Sequence, residues 1–221
     1  MLVESQSLYE YASRHVEDIT AGVIQHAQVV FVSMSIATAV GISLGLLVYR
    51  SRRATDLALA VCGIFLTIPS FALFALLIPV LGLGYAPTVC ALVLYALLPI
   101  VRNTVAGLES VDPAIMESAR GMGLGGRQRL WRIQLPLAWP IILTGIRVST
   151  VVTVGIAAIA AGVVNGPGLG EYIFSGLSHI GSVFALNEAL VGVIGVALIA
   201  LAYDGLFVLV GRFTTSRGIR G

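Results

Sequence analysis

The sequence predicts an all-α polytopic membrane protein with five transmembrane helices. Three observations carry that expectation. First, the 221 residues have a mean hydropathy of +0.97, and 57% of them are hydrophobic but only 11% charged. A soluble domain carries about a quarter charged residues, so burial in a water-soluble core does not explain the deficit. Second, five apolar runs are long enough to cross a bilayer, which takes ~20 residues per helix. Third, the basic residues are all arginine and are gathered into alternate connections.

The N-terminal segment, residues 1–27, is polar and lacks the basic flank and short apolar stretch of a cleavable signal peptide. It is expected to be extracytoplasmic. Leu8, Tyr11, Ala12, His15 and Ile19 recur at helical spacing, which fits either an amphipathic surface helix or a frayed tail. The first apolar run, Gln28–Tyr49, ends in Arg50, Arg52 and Arg53. The second, Leu57–Leu81, holds Pro69 at mid-span and Pro79 near its end, and each removes a backbone donor and favours a kink. A third run, Pro87–Leu108, contains Pro99; the fourth and fifth are Leu137–Val164 and Leu186–Val210. Residues 28–212 thus form the transmembrane domain, with 213–221 as a tail. Small residues such as Gly41, Gly45, Gly145, Gly155, Gly192 and Gly195 are read as helix-packing positions.

Arginine placement orients the chain. Arg120, Arg127, Arg129 and Arg132 lie between the third and fourth runs, and Arg212, Arg217 and Arg220 follow the fifth. Connections Gly82–Ala86 and Asn165–Ala185 contain no arginine. The positive-inside rule places the N-terminus outside and the C-terminus in the cytoplasm. Two charges, Arg147 and Asp204, sit inside apolar runs, each ~12 Å deep at 1.5 Å per residue. A charge at that depth calls for a partner. Arg147 with Asp204 is the expected pair, pinning two helices, and Arg102 is the alternative partner for Asp204.

The chain has no lysine, which excludes a P-loop and Schiff-base chemistry. Cys62 and Cys90 lie in apolar runs, and the three histidines fit no ligand pattern, so no metal site is assigned. Ser175, Ser178 and His179 cluster in a connecting loop, without the setting of an intramembrane active site, and no catalytic residue is assigned. Nucleic acid is not an expected partner.

The remaining signal is "ESARGMGLGGRQRLWRIQLPLAWP", from Glu117 to Pro140. Asp112-Pro113 has the form of a helix start, and the glycines from Gly121 to Gly126 would end that helix and allow a sharp turn. A second short helix from Arg127 is expected to stop at Pro136, with Arg129 and Arg132 towards water. Gly121, Gly123 and Gly126 match G-x-G-x-x-G literally, but the βαβ context of a dinucleotide site is missing. A basic loop would also attract anionic headgroups. Helix–turn–helix geometry fits a projection that inserts into a partner's groove.

This segment resembles the EAA loop (residues 112–136) of ABC importer permeases. The family pattern places three residues between E-A-A and G, nine between G and I, and one between I and L-P. Glu117-Ser118-Ala119, Gly123, Ile133 and Leu135-Pro136 meet every spacing, with Ser118 the one departure. "TIPSFALFALLIPVLGLGYAP", "LYALLPIVRNTVAGLESVDP", "LPLAWPIILTGIRVSTVVTVGIAAIAAGV" and "NGPGLGEYIFSGL" resemble the osmoprotectant branch, which serves glycine betaine, choline, carnitine and related quaternary amines.

The resemblance implies a type I importer permease in the bacterial inner membrane. Its partners would be ATP-binding cassette subunits, a second permease subunit and an extracytoplasmic substrate-binding protein. ATP and Mg would be held by the partner ATPase and no cofactor by this chain. Glu117 would face the ATPase or cap backbone donors. Ala119 would belong to the ATPase-docking loop, Gly121 and Gly123 would allow the turn, Ile133 and Leu135 would dock, and Pro136 would fix the exit angle. Asn165, Gly166, Pro167 and Gly168 would form an outer gate or dock. An amino-acid or methionine importer permease is the alternative cargo reading.

Overall fold

Residues 7–214 are described by a computed structural model, and every regular element among them is a helix. Residues 1–6 and the tail beyond Thr214, with the expected cytoplasmic Arg217 and Arg220, lie outside the described residues. Helix α1 (Leu8–Arg14) is followed by α2 (Val16–Val48), α3 (Arg52–Thr67), α4 (Ser70–Leu81) and α5 (Tyr85–Glu109). Then come α6 (Pro113–Gly121), α7 (Gly126–Arg129), a π turn (Leu130–Gln134), α8 (Leu135–Val164), α9 (Gly170–Ser178) and α10 (Ala185–Thr214).

Four helical stretches are long and apolar enough to cross a membrane, and α3 with α4 makes a fifth only as a pair bent by 96°. The expected kink in the second run is therefore a break. Pro69 forces it: the residue before a proline is driven out of the α region, and Ile68 sits at φ −76°, ψ 124°. The carbonyl of Ile68 so exposed is not left bare. Tyr95 of α5 donates its hydroxyl to it at 2.6 Å, which is how irregular backbone survives at membrane depth.

Helix α5 lies at the centre, packed between α2 and α8. Val29, Val30 and Ala37 of α2, Leu92, Ala96 and Ile100 of α5, and Ala138, Ile142 and Val154 of α8 form the fully buried core. Of the expected packing glycines, Gly41 meets Ile100, Gly45 meets Thr104 and Gly145 meets the Pro99 carbonyl; Gly155 faces open space instead. Helix α10 is held mainly at its N-terminal half, where Val191, Gly192 and Ile199 are buried.

The N-terminal region departs from the expectation. Helix α2 begins at Val16, twelve residues before Gln28, and its 33 residues span about 50 Å, beyond the ~30 Å hydrocarbon core. The periodic positions ahead of it turn inwards: Tyr11 is buried, and α1 packs on α10 and α2. A reciprocal cap starts α1, with Ser7 accepting from Glu10 and Glu10 accepting from the Ser7 amide.

Two ends follow from this layout. Helices α6 and α7 and the C-terminal ends of α2, α5 and α10 gather at an arginine-rich end. Helix α1, the start of α2, α9 and the start of α10 gather at an arginine-poor end.

Candidate functional site: a projecting helical turn and the rod behind it

At the arginine-rich end Asp112 caps α6, its carboxylate accepting from the Ala114 amide at 2.8 Å with Pro113 in the first turn. Glu117 is exposed on this helix, and the cap belongs to Asp112. The helix ends at Gly121 as expected. Its closure explains the motif's spacing. Gly123 donates its amide to the Arg120 carbonyl and Leu124 donates to that of Ala119. These paired bonds close a helix C-terminus when the residue between them is left-handed, and Gly123 has φ +81°. Ala119 is fully buried at this closure: a small residue at that place and glycine four positions on are what the geometry requires.

Gln128 then reaches back to the Gly125 amide at 3.0 Å and starts α7. The structure corrects the expected stop at Pro136. Residues Gly126–Val164 run on as one 39-residue helical stretch, about 58 Å at 1.5 Å per residue. The π turn makes this possible. The Leu135 amide bonds the Leu130 carbonyl, five residues back, and this wider turn lies directly ahead of Pro136, whose ring and missing donor a regular α turn would have to accommodate. Tyr49, at the end of α2, hydrogen-bonds Gln134 across this turn.

The expected docking residues are only partly available. Ile133 and Leu135 are half-buried, and Leu135 packs on the chain's own core. Arg129, expected towards water, is also half-buried, with its Nε unpaired among the described residues. The free apolar surface here comes from Ile115, 43% exposed, Met122, 72% exposed, and Trp131, 59% exposed. Ile115 lies ahead of the motif, and Met122 and Trp131 occupy unspecified positions within it, so spacing alone gave no signal for them.

Farther along the rod, Arg147 of α8 meets Asp204 of α10 in a two-point contact, Nε to Oδ1 at 2.5 Å and Nη2 to Oδ2 at 2.7 Å. Of the two partners weighed for Asp204, the geometry selects Arg147 over Arg102. Trp139 adds a second tie between the same helices, donating to Thr214 at 2.8 Å.

At the other end, Asn165 closes α8 in the left-handed region, φ 51°. Gly166 and Gly168 are enclosed: a Cβ on the first would meet Thr88 and Ala160, and on the second His26. Of the four proposed gate residues only Asn165 is exposed. The loop is wedged between α2, α5 and α8. Ser175 and His179 do not face each other; both bond Glu188, at 2.6 and 3.2 Å, so no serine–histidine relay forms.

Residues 37–216 match the family model described as binding-protein-dependent transport system inner membrane component. The chain belongs to this family. The permease is 32% identical to the glycine betaine/carnitine/choline transport system permease protein OpuCB of Bacillus subtilis, over 89% of this chain and 88% of that one. It is 38% identical to the osmoprotectant import permease protein OsmW of Salmonella typhimurium, over 89% and 91% of the two chains. Among solved structures, an inward-facing form of the MetNI methionine ABC transporter is similar at 27% identity with a TM-score of 0.71, covering 90% of the permease and 96% of that chain. The permease is thus a multi-pass membrane subunit of an ABC importer.

Proposed function

We propose that the permease forms half of an ATP-driven import path for small quaternary ammonium osmoprotectants: glycine betaine, choline, carnitine or a close analogue. The likeness over nearly the whole length to permeases named for those cargoes supports this cargo over an amino acid; the methionine transporter shares less identity. A second permease subunit completes the path, because five crossings are too few to enclose a gated one. An extracytoplasmic binding protein delivers cargo at the arginine-poor end, which faces outward by the positive-inside rule. ATPase subunits, carrying ATP and Mg on separate chains, grip the loop 112–136 from the cytoplasm.

The observation that carries the coupling role is the uninterrupted stretch from Gly126 to Val164. A push on α7 reaches α8 through continuous helix, α6 is joined to α7 by the closed turn at Gly123, and the Arg147–Asp204 pair passes the push to α10. Glu117, Ile115 and Met122 present the docking surface, and Gly123 holds its shape. The test is copurification with the cognate ATPase, followed by ATP-driven vesicle uptake of radiolabelled choline and glycine betaine against methionine. ATP-dependent uptake of the quaternary amines alone is expected. Uptake of methionine instead, or uptake without ATP, overturns the reading.

A further inference from the structure

At the arginine-poor end a recess of about 440 Å³ opens between α1, α2, α9 and α10. Its size falls in the ordinary range for small-molecule sites, roughly 300–1,000 Å³, and far exceeds the ~30 Å³ share of one water. Its walls carry Tyr11 and Tyr172, with Asp18, Glu171 and Glu188 around them; His15 also lines it, stacked on one face of the Tyr11 ring, and Arg14 lies in the adjoining recess. Tyr11 is 7% exposed.

We infer that this recess binds a molecular monocation of the quaternary ammonium type, held by the Tyr11 and Tyr172 rings and the carboxylates of Asp18, Glu171 and Glu188. Three features select that chemistry. Aromatic faces attract large, weakly hydrated cations. The volume suits a molecule and not a bare metal ion, which needs oxygen ligands closed tightly about it. The carboxylates give the recess a negative field, and a low-dielectric wall focuses it. That field is legible in Tyr172 itself. Burial first, then the charges of Asp18, Glu171 and Glu188, push its phenol up to about 12. Burial disfavours any charge there, so only the carboxylate share of that rise also favours a cation.

The same charge balance sets a preference. Glycine betaine carries its own carboxylate, which Asp18, Glu171 and Glu188 repel. Choline and tetramethylammonium carry none. The site therefore holds net cations in preference to zwitterions, a selection distinct from whatever the binding protein performs. Glu188 is partly committed, bonded to Ser175 and His179, which leaves Asp18 and Glu171 as the freer carboxylates.

The inference rests on the cargo reading above only for the natural ligand's identity. Its test is calorimetric titration of tetramethylammonium into the permease–ATPase complex in nanodiscs, without binding protein. Saturable binding is expected, with glycine betaine weaker by about tenfold. Tyr172→Leu abolishes binding, Tyr172→Phe retains it, and Asp18→Asn weakens it several-fold. Asp18 is exposed in the first turn of α2, so that variant tests the site even if Tyr172→Leu fails to assemble. Binding unchanged in Asp18→Asn and Tyr172→Leu, no saturable binding, or equal affinity for glycine betaine overturns the inference. Vesicle uptake separates the two readings. Absent quaternary-amine transport with intact, variant-sensitive binding sinks the cargo reading alone; intact transport with variant-insensitive binding sinks the site alone.

Discussion

Two glycine-rich turns, one at each end of the molecule, use the same residue for opposite reasons. Gly123 stands in open space, with nothing near a Cβ placed on it, and is required by its backbone angle of φ +81°. Gly170 begins α9 and has no room: a Cβ there would press into the carbonyl of Ala158. The first turn is built from local bonds, through Asp112, Arg120 and Ala119, and leaves its surface free for another protein. The second is built by three other helices and has little surface to spare. A projecting turn can be gripped; a wedged one can only move with the helices that hold it.

The largest expected effect comes from adding a methyl group to the wedge. Overpacking costs ~1–3 kcal/mol and sometimes more, and Gly170→Ala presses on backbone, which cannot swing aside. Thermal unfolding of the detergent-solubilised permease should show a loss at the upper end of that range. A variant with wild-type stability would show that the loop is looser than its packing.

Gly123→Asp breaks the comparison from the other side. A left-handed angle costs a side chain ~1–2 kcal/mol, so the chain should still insert and fold. ATPase copurification and ATP-driven uptake should be lost. Normal coupling in this variant would remove the turn from the docking surface.

Between the two ends lies the Arg147–Asp204 pair, with side chains 42% and 36% exposed in the single chain. Arg147→Leu or Asp204→Leu alone leaves a charge without its partner at membrane depth and should reduce both yield and uptake. The double variant should recover yield, because no lone charge remains. Recovery of uptake as well would mean that α8 and α10 do not need this tie to move together. The smallest effect is expected at Asn165. Glycine accepts its left-handed angle readily, so Asn165→Gly should shift stability by only a few tenths of a kcal/mol and leave uptake unchanged. A drop in uptake at constant stability would assign the amide a direct part in the outer gate.

These comparisons mark what could be read along the chain. The helix 113–121, its cap and its closing turn were legible because each bond in them joins residues within a few positions, so spacing carries the geometry. The apolar runs were legible because a bilayer demands length and hydropathy alone. Boundaries were less so. The helix starting at Val16 outruns its apolar run, since tertiary contacts with α9 and α10 extend it past the membrane. The 96° break at Pro69 looked like a kink, because proline announces a lost bond and not the angle that neighbours will tolerate.

Composition, periodicity and motif spacing by themselves determined a five-run helical membrane protein with a docking turn, and named Asp204 with two possible arginine partners. Tertiary structure alone decided the rest. It chose Arg147 as the partner of Asp204, carried the helix through Pro136 on a π turn, half-buried Gly166 and buried Gly168, and gathered Tyr11, Asp18, Tyr172 and Glu188 into one recess. Those residues lie up to 177 positions apart in the chain (188 minus 11). Local bonds write themselves into sequence as spacing, whereas contacts between distant helices depend on how the helices pack, which no spacing records.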